Sequence, residues 1–307
     1  MIQSSFKEKV ILFLKGIAMG AADVVPGVSG GTIAFITGIY ERLILALKHI
    51  DVQIIKLLFK GNIKEIWSRI DGAFLVTLFL GIACSIVLIA NVMLYLLQTY
   101  PEFLWSFFFG LILGSAYTIS KSMKFKNSGN LLMLIIGALI AYFLTSMLPA
   151  STPEGLIYTF LAGAVAICAM ILPGISGGYI LLILGKYEFI LNALKSMDIA
   201  TVLVFMLGCA TGLIVFSKFL AWLFSKYKEL TIALLTGFML GSLNKIWPWK
   251  ITLETYADRH GVIKPLIQEN IMPFMDRSFV FAIALMVVGL ILVFFVERLG
   301  NTSKTNG

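Results

Sequence analysis

Long apolar runs without a charged residue recur along the chain. Four of them reach membrane length, at residues 73–97, 131–148, 199–217 and 278–296. A helix that spans a bilayer needs about 17–25 predominantly apolar residues. The pattern therefore predicts an all-α polytopic membrane protein.

Two other apolar segments are interrupted by nearly the same six residues. Residues 26–31, PGVSGG, return as residues 173–178, PGISGG. Proline and glycine break helices, and broken backbone at membrane depth is tolerated only where protein buries it or where it lines a water-filled cavity. Two such breaks at matching positions of a duplicated chain indicate a transporter's substrate site.

The repeat extends beyond the breaks and divides the chain into halves at 1–150 and 151–307, with matches such as Gly38 to Gly185. Each half is predicted to form a re-entrant, broken helical hairpin followed by three transmembrane helices, with the two halves in inverted topology. The predicted segments are a hairpin at 10–47, a basic interfacial connector at 48–71, spans at 73–97, 103–119 and 131–148, a second hairpin at 156–194, and spans at 199–224, 230–243 and 278–297.

Lysine and arginine positions predict the orientation. The segments placed inside carry most of the cations, whereas the loops at 98–103 and 149–155 carry none. The loop at 244–277 is an exception with five, but long loops obey the positive-inside rule weakly. We expect a multi-pass protein of the cell inner (cytoplasmic) membrane, with both termini cytoplasmic.

The connector at 48–71 mixes apolar residues with five cations. It is either a helix on the inner surface, with its cations near anionic lipid, or a solvated connector. The sequence leaves both interpretations open.

Composition narrows the function. Only 13% of the residues are charged, against about 25% in soluble domains, and 59% are hydrophobic. The basic residues that give the net charge of +8 lie between the predicted spans, so no nucleic-acid partner is expected. Cys84, Cys168 and Cys209 fall in apolar segments and are expected to pack rather than pair. With two histidines in linkers and no clustered carboxylates, the sequence predicts no metal, no cofactor and no enzyme active site.

The breaks carry the candidate chemistry. The helix after each break would begin near Gly31 or Gly178, and its first N–H groups would lack intrahelical partners. With the helix dipole, those amides favour an anion. Ser29 and Ser176 add hydroxyl donors, and Thr32 adds one in the first half only. One phosphate or carboxylate near the midplane is the functional interpretation; close helix packing through small residues is the structural alternative.

Charged residues near the breaks are the next candidates. Asp23 precedes the first break, where an intramembrane carboxylate is costly and suggests proton coupling, although it could also cap a helix. Arg42 and Lys186 either snorkel at the membrane boundary or contact an anionic headgroup. Glu41 and Glu188 are then boundary markers or titrating groups.

Residues 16–32, GIAMGAADVVPGVSGGT, and residues 171–178, ILPGISGG, resemble the bacterial and archaeal polyprenyl-phosphate transporter family. The similarity covers essentially the whole chain. The resemblance implies a flippase that returns undecaprenyl phosphate from the outer to the inner leaflet for carrier-lipid recycling in cell-envelope synthesis. It also implies that the headgroup is bound by Ser29, Gly30, Gly31, Thr32, Ser176, Gly177 and Gly178.

The expected partners are the polyprenyl phosphate and membrane lipids, and assembly as a homo-oligomer remains an option. The main alternative function is a secondary transporter or channel for a small soluble anion. It would use the same two helix ends but would need a closed aqueous path instead of a side opening to lipid.

Overall fold

The computed structural model describes residues 6–25, 28–121, 128–148, 152–153, 155–257 and 263–305. Pro26 and Gly27 of the first break lie outside the described residues. The elements are α1 (Phe6–Val24), α2 (Gly30–Ile36), α3 (Tyr40–Lys48), α4 (Val52–Phe59), α5 (Ile63–Arg69), α6 (Gly72–Leu88), α7 (Ala90–Thr99), α8 (Pro101–Lys121), α9 (Ser128–Ser146), α10 (Leu156–Ile171), α11 (Gly177–Ile183), α12 (Tyr187–Lys195), α13 (Ile199–Lys226), α14 (Lys228–Ser242), β1 (Lys250–Ala257), β2 (Ile263–Asn270) and α15 (Arg277–Thr305).

Within these ranges, four helices are long and apolar enough to cross a membrane: α8, α9, α13 and α15 as far as Phe295. Three further pairs of helices pass the same test but are bent, which raises the number to seven if each pair counts as one span. The predicted helical, polytopic membrane protein is confirmed. The predicted spans at 103–119, 131–148, 199–224 and 278–297 each fall on one of the four long helices.

Two predictions of local structure were wrong. The span at 73–97 is divided at Ile89 into α6 and α7, within a group of β-branched residues that disfavour helix. The loop at 244–277 contains an antiparallel hairpin of β1 and β2, in which Lys250 faces Asn270. Isoleucine, threonine and tyrosine in β1 supply the strand propensity. The fold is therefore helical with one small β-hairpin, not entirely α.

Glycines set how the long helices pair. α1 packs parallel to α6, and α10 packs parallel to α13. A Cβ atom at Gly16 or Gly81 would overlap a backbone carbonyl of the partner helix, and the same holds for Gly163 and Gly208. α8 pairs with α15 and α9 with α14 through similar glycine contacts. The glycines allow the backbones to approach closely, as small residues do in membrane proteins.

Side-chain contacts define two ends of the bundle. At one end, Lys228 lies 2.6 Å from Glu41 and Arg42 lies 2.7 Å from Asp71; we call this the Glu41 end. At the opposite end, the indole N–H of Trp249 donates to Glu102 over 2.6 Å; we call this the Trp249 end. Asn244 also donates there to Ser146 over 3.0 Å. The connector and residue 228, both predicted to lie inside, are thus at one end, and the loops at 98–103 and 244–277, both predicted to lie outside, are at the other.

Each broken hairpin turns sharply a second time. α2 and α3 are bent by 117°, and α11 and α12 by 103°. The matched glycines Gly38 and Gly185 stand at these bends with φ of +71° and +64°. Each glycine and the residue after it donate back to carbonyls in the last turn of the preceding helix, which is the Schellman pattern that favours glycine. The second arm of each hairpin is therefore two short helices rather than one.

The basic connector forms α4 and α5. Asp51 and Asn62 cap their N-termini through side-chain oxygens. Leu58, Phe59 and Ile63 are exposed beside the lysines. The connector is helical and amphipathic, which fits the interfacial interpretation without deciding between the two.

Candidate functional site

The two breaks meet in the interior. The hydroxyl of Ser29 lies 3.2 Å from the carbonyl oxygen of Met170 and 3.3 Å from that of Leu172. The amide of Gly174 donates to Oγ1 of Thr32 over 2.8 Å. We call this contact between Ser29, Thr32 and residues 170–174 the break junction. Residues far apart in sequence, one break in each half, thus form a single site.

Glycines make the break junction possible. A Cβ atom at Gly31 would stand 2.6 Å from the carbonyl oxygen of Ile171, which is backbone and cannot move aside cheaply. Gly174 has φ of +87°, and a Cβ there would lie 2.7 Å from Oγ of Ser242. Only glycine combines this conformation with so close an approach.

The first break is closed by its own polar side chains. Oδ1 of Asp23 accepts a hydrogen bond from the amide of Gly30 over 2.6 Å. Oγ of Ser29 accepts one from the amide of Gly31 over 3.1 Å. Ser29 and Thr32 are buried. Amides expected to bind a headgroup are thus used within the protein, and a phosphate reaching Gly30 would have to displace Asp23.

The second break is more open. Ser176 forms no side-chain cap on α11 and is only half-buried. Gly178 is exposed, and the nearest atom to a Cβ placed on it would be 3.9 Å away. Gly177, in contrast, packs against the carbonyl of Ala166. Tyr179 occupies the position equivalent to Thr32, and its hydroxyl donates to the carbonyls of Thr145 and Met147 instead of bonding to the other break.

Four charged residues were predicted to flank the breaks: Glu41, Arg42, Lys186 and Glu188. The structure places none of these four at the break junction. Glu41 pairs with Lys228, and Arg42 pairs with Asp71 and covers the ring of Phe74, all at the Glu41 end.

The second pair lies at the other end. Lys186 is buried, donates to the carbonyl of Pro153 over 2.8 Å and lies over the ring of Phe189. Glu188 is exposed.

Sequence reasoning missed two lysines beside the second break. Nζ of Lys245 lies 4.3 Å from the ring centroid of Tyr179, and Nζ of Lys250 lies 4.6 Å from that of Trp105. Burial lowers the pKa of both, that of Lys250 to about 7 with a contribution from the charge of Lys245. The sequence did mark these lysines, since both belong to the loop at 244–277, which carries five cations whereas the loops at 98–103 and 149–155 carry none.

No group of three or more histidine, cysteine, aspartate or glutamate residues in the described ranges is placed to hold a metal ion. The chemistry available at the junction is hydrogen bonding and charge.

Comparison with known proteins assigns the chain to a family. A family model described as VCA0040-like, undecaprenyl phosphate translocase-like, matches residues 19–264. The chain belongs to this family. That match spans both breaks and β1 and ends at the second residue of β2, so the break junction lies within the family region.

Two curated relatives carry the same name. A polyprenyl-phosphate transporter of Vibrio cholerae serotype O1 is 44% identical over 293 residues, which cover 93% of this chain and 95% of the relative. A polyprenyl-phosphate transporter of Staphylococcus aureus is 32% identical over 258 residues, covering 78% and 87%. No solved structure matches the chain.

Proposed function

We propose that this protein is a flippase that moves undecaprenyl phosphate from the outer to the inner leaflet of the cytoplasmic membrane. The observation that carries the proposal is the break junction, where polar groups of two interrupted hairpins meet inside an apolar bundle. A prenyl tail can stay in lipid, but its phosphate needs a polar path, because charge in hydrocarbon is costly. The names of the two relatives support a polyprenyl phosphate as the substrate.

An inverted architecture is part of the proposal. α1 runs parallel to α6, which begins next to Asp71 at the Glu41 end. α10 runs parallel to α13, which ends beside Lys228 at that same end, so α10 begins at the Trp249 end. These directions support two hairpins that enter from opposite sides and turn back at the junction. The excess of cations supports a cytoplasmic Glu41 end.

The state described here is closed at the first break and open at the second. Asp23 holds the amide of Gly30, which is a donor that the phosphate also needs. A phosphate monoester carries about −1.5 to −2 charges at pH 7, so it repels an ionised carboxylate at the same amide. Protonation of Asp23 removes that repulsion and weakens its hydrogen bond to the Gly30 amide, because a neutral carboxyl is a weaker acceptor than a carboxylate. Proton uptake would thereby couple to opening of the first break toward the Glu41 end.

Reconstitution into proteoliposomes tests the proposal. Fluorescent or labelled undecaprenyl phosphate should change leaflet in vesicles that contain the protein, faster with a pH gradient than without one. Undecaprenol, which lacks the phosphate, should give no protein-dependent change. If the vesicles instead take up inorganic phosphate or carboxylates and leave the lipid where it is, the function is that of a soluble-anion transporter.

A further inference from the structure

A second polar site lies at the Trp249 end, above the second break. An open cavity of about 300 Å³ is bordered by the end of α9, by α11, by the start of β1 and by the end of β2. Lys245 and Lys250 line it from the hairpin side, and Tyr179 and Leu182 line it from α11. Tyr179 directly follows Gly178, so the cavity adjoins the open side of the second break.

Lys245 and Lys250 are half-buried, and among the described residues no carboxylate lies within ion-pair distance of either ammonium group. Lys250 donates to the backbone carbonyl of Lys245, and each lysine lies over an aromatic ring. In the ranges that the structure describes, the ion pairs involve other residues, although Glu269 also lines the cavity. Buried charges are normally paired. Two neighbouring cations of this kind favour an anion with about two negative charges.

The walls of the cavity add a second requirement. Met147, Leu148 and Leu182 form an apolar side, and the first two are exposed. A free inorganic anion would gain no binding energy from that apolar side. A molecule with a charged head and an apolar tail would contact both the lysines and the apolar wall.

We propose that Lys245 and Lys250 form a capture site for the phosphate monoester of a prenyl lipid at the Trp249 end, before the headgroup moves to the break junction. The inference rests on the proposed function, because it takes the substrate to be that lipid. A phosphate monoester approaches two negative charges at neutral pH, which matches two lysines. Burial lowers the pKa of Lys250 to about 7 because it disfavours the charged ammonium group. A bound anion would stabilise that charge.

Binding to the purified full chain in nanodiscs tests the proposal. The probes are undecaprenyl phosphate, undecaprenol and inorganic phosphate, and the variants are Lys245→Met, Lys250→Met and Lys250→Arg. Each methionine variant should weaken undecaprenyl phosphate binding about tenfold, the range of a lost charge-assisted hydrogen bond. Lys250→Arg should bind nearly as well as the unmodified protein, which separates loss of charge from misfolding.

Lys195→Met is the matched control. It removes the same charge from an exposed position at the end of α12, outside the cavity lining, and should change binding less than twofold. Undecaprenol should bind weakly to all variants. Competition by millimolar inorganic phosphate would be consistent with a phosphate site, and binding of inorganic phosphate as tight as that of the lipid would overturn the role of the apolar wall.

Failure of this inference is distinguishable from failure of the proposed function. If both methionine variants bind undecaprenyl phosphate as the unmodified protein does, while vesicle transport is intact, the capture site is wrong and the flippase stands. If the unmodified protein neither binds nor moves the lipid, the proposed function fails first.

Discussion

Thr32 in one half of the chain accepts a hydrogen bond from the amide of Gly174 in the other half, over 2.8 Å. Both residues are buried. A buried amide without an acceptor costs free energy, so this hydrogen bond favours one arrangement of the two breaks. The position equivalent to Thr32 in the second half is Tyr179, so no mirror-image bond can form through a threonine there.

Replacing Thr32 with valine should destabilise the protein by about 1–3 kcal/mol, because the Gly174 amide loses its acceptor. Thermal unfolding in detergent measures the effect, and vesicle transport should fall with it. Thr32→Ser keeps a hydroxyl and should lose much less. Thr236→Val is a control at a buried threonine whose hydroxyl donates to the Ile232 carbonyl of its own helix. An equal loss of stability in Thr32→Val and Thr236→Val would show that the hydrogen bond between the two halves contributes no more than one within a helix.

Gly31 and Gly178, the second residues of α2 and α11, should respond differently to alanine. Gly31→Ala places a Cβ 2.6 Å from the Ile171 carbonyl and should lower the melting temperature and abolish transport. Gly178→Ala meets no atom closer than 3.9 Å and should fold normally. A Gly31→Ala protein with unchanged stability would contradict the packing at the junction.

Replacing the two serines of the repeat, Ser29 and Ser176, should have different effects on stability. Ser29→Ala removes a cap and a bond to the other half, and should cost about 1 kcal/mol of stability. Ser176→Ala removes no cap, so stability should stay within about 0.5 kcal/mol while transport falls. Denaturation and transport measured on the same preparations distinguish the two. Normal transport by the double variant would remove both hydroxyls from the headgroup site.

Asp23→Asn tests proton coupling with little change of shape. The asparagine oxygen can still accept from the Gly30 amide, so the protein should fold, but the side chain no longer titrates. Transport should lose its dependence on an imposed pH gradient, while the decline in substrate binding above pH 7 that comes from Lys250 should remain. Asp23→Ala, which also removes the acceptor, should additionally lower stability. A pH profile like that of the unmodified protein would eliminate the coupling role.

Binding of undecaprenyl phosphate should weaken as pH rises from 7 to 9. The free protein has Lys250 with a pKa of about 7, so binding above that pH must take up a proton, at a cost of up to about tenfold in affinity per pH unit. The phosphate itself is already dianionic in this range. The other titratable groups on the walls around Lys250 are Lys245, Tyr179, Glu269, Glu102 and Asp276. Lys250→Arg should flatten the profile between pH 7 and 9, and an equally steep decline in that variant would assign the effect to another group.

Sequence patterns predicted the membrane class, the four long spans and the two breaks, because these depend on local composition and on an internal repeat. They did not predict the division at Ile89 or the β-hairpin, because the short strands lie in a polar segment that was interpreted as one long loop. The assignment of Gly30 and Gly31 as free donors depended on helix ends taken alone. It could not include Asp23, whose carboxylate reaches the Gly30 amide only because the chain bends back on itself.

By itself the sequence determined that this chain lies in a membrane, that it is duplicated and that each copy is broken at the same place, since hydropathy, proline and glycine act over a few residues. Only the tertiary structure decided that the breaks touch, that the first is closed and the second open, and that Lys245 and Lys250 lie beside Tyr179. Those relationships join residues separated by tens to more than a hundred positions, and packing of the helices through glycines brings them together.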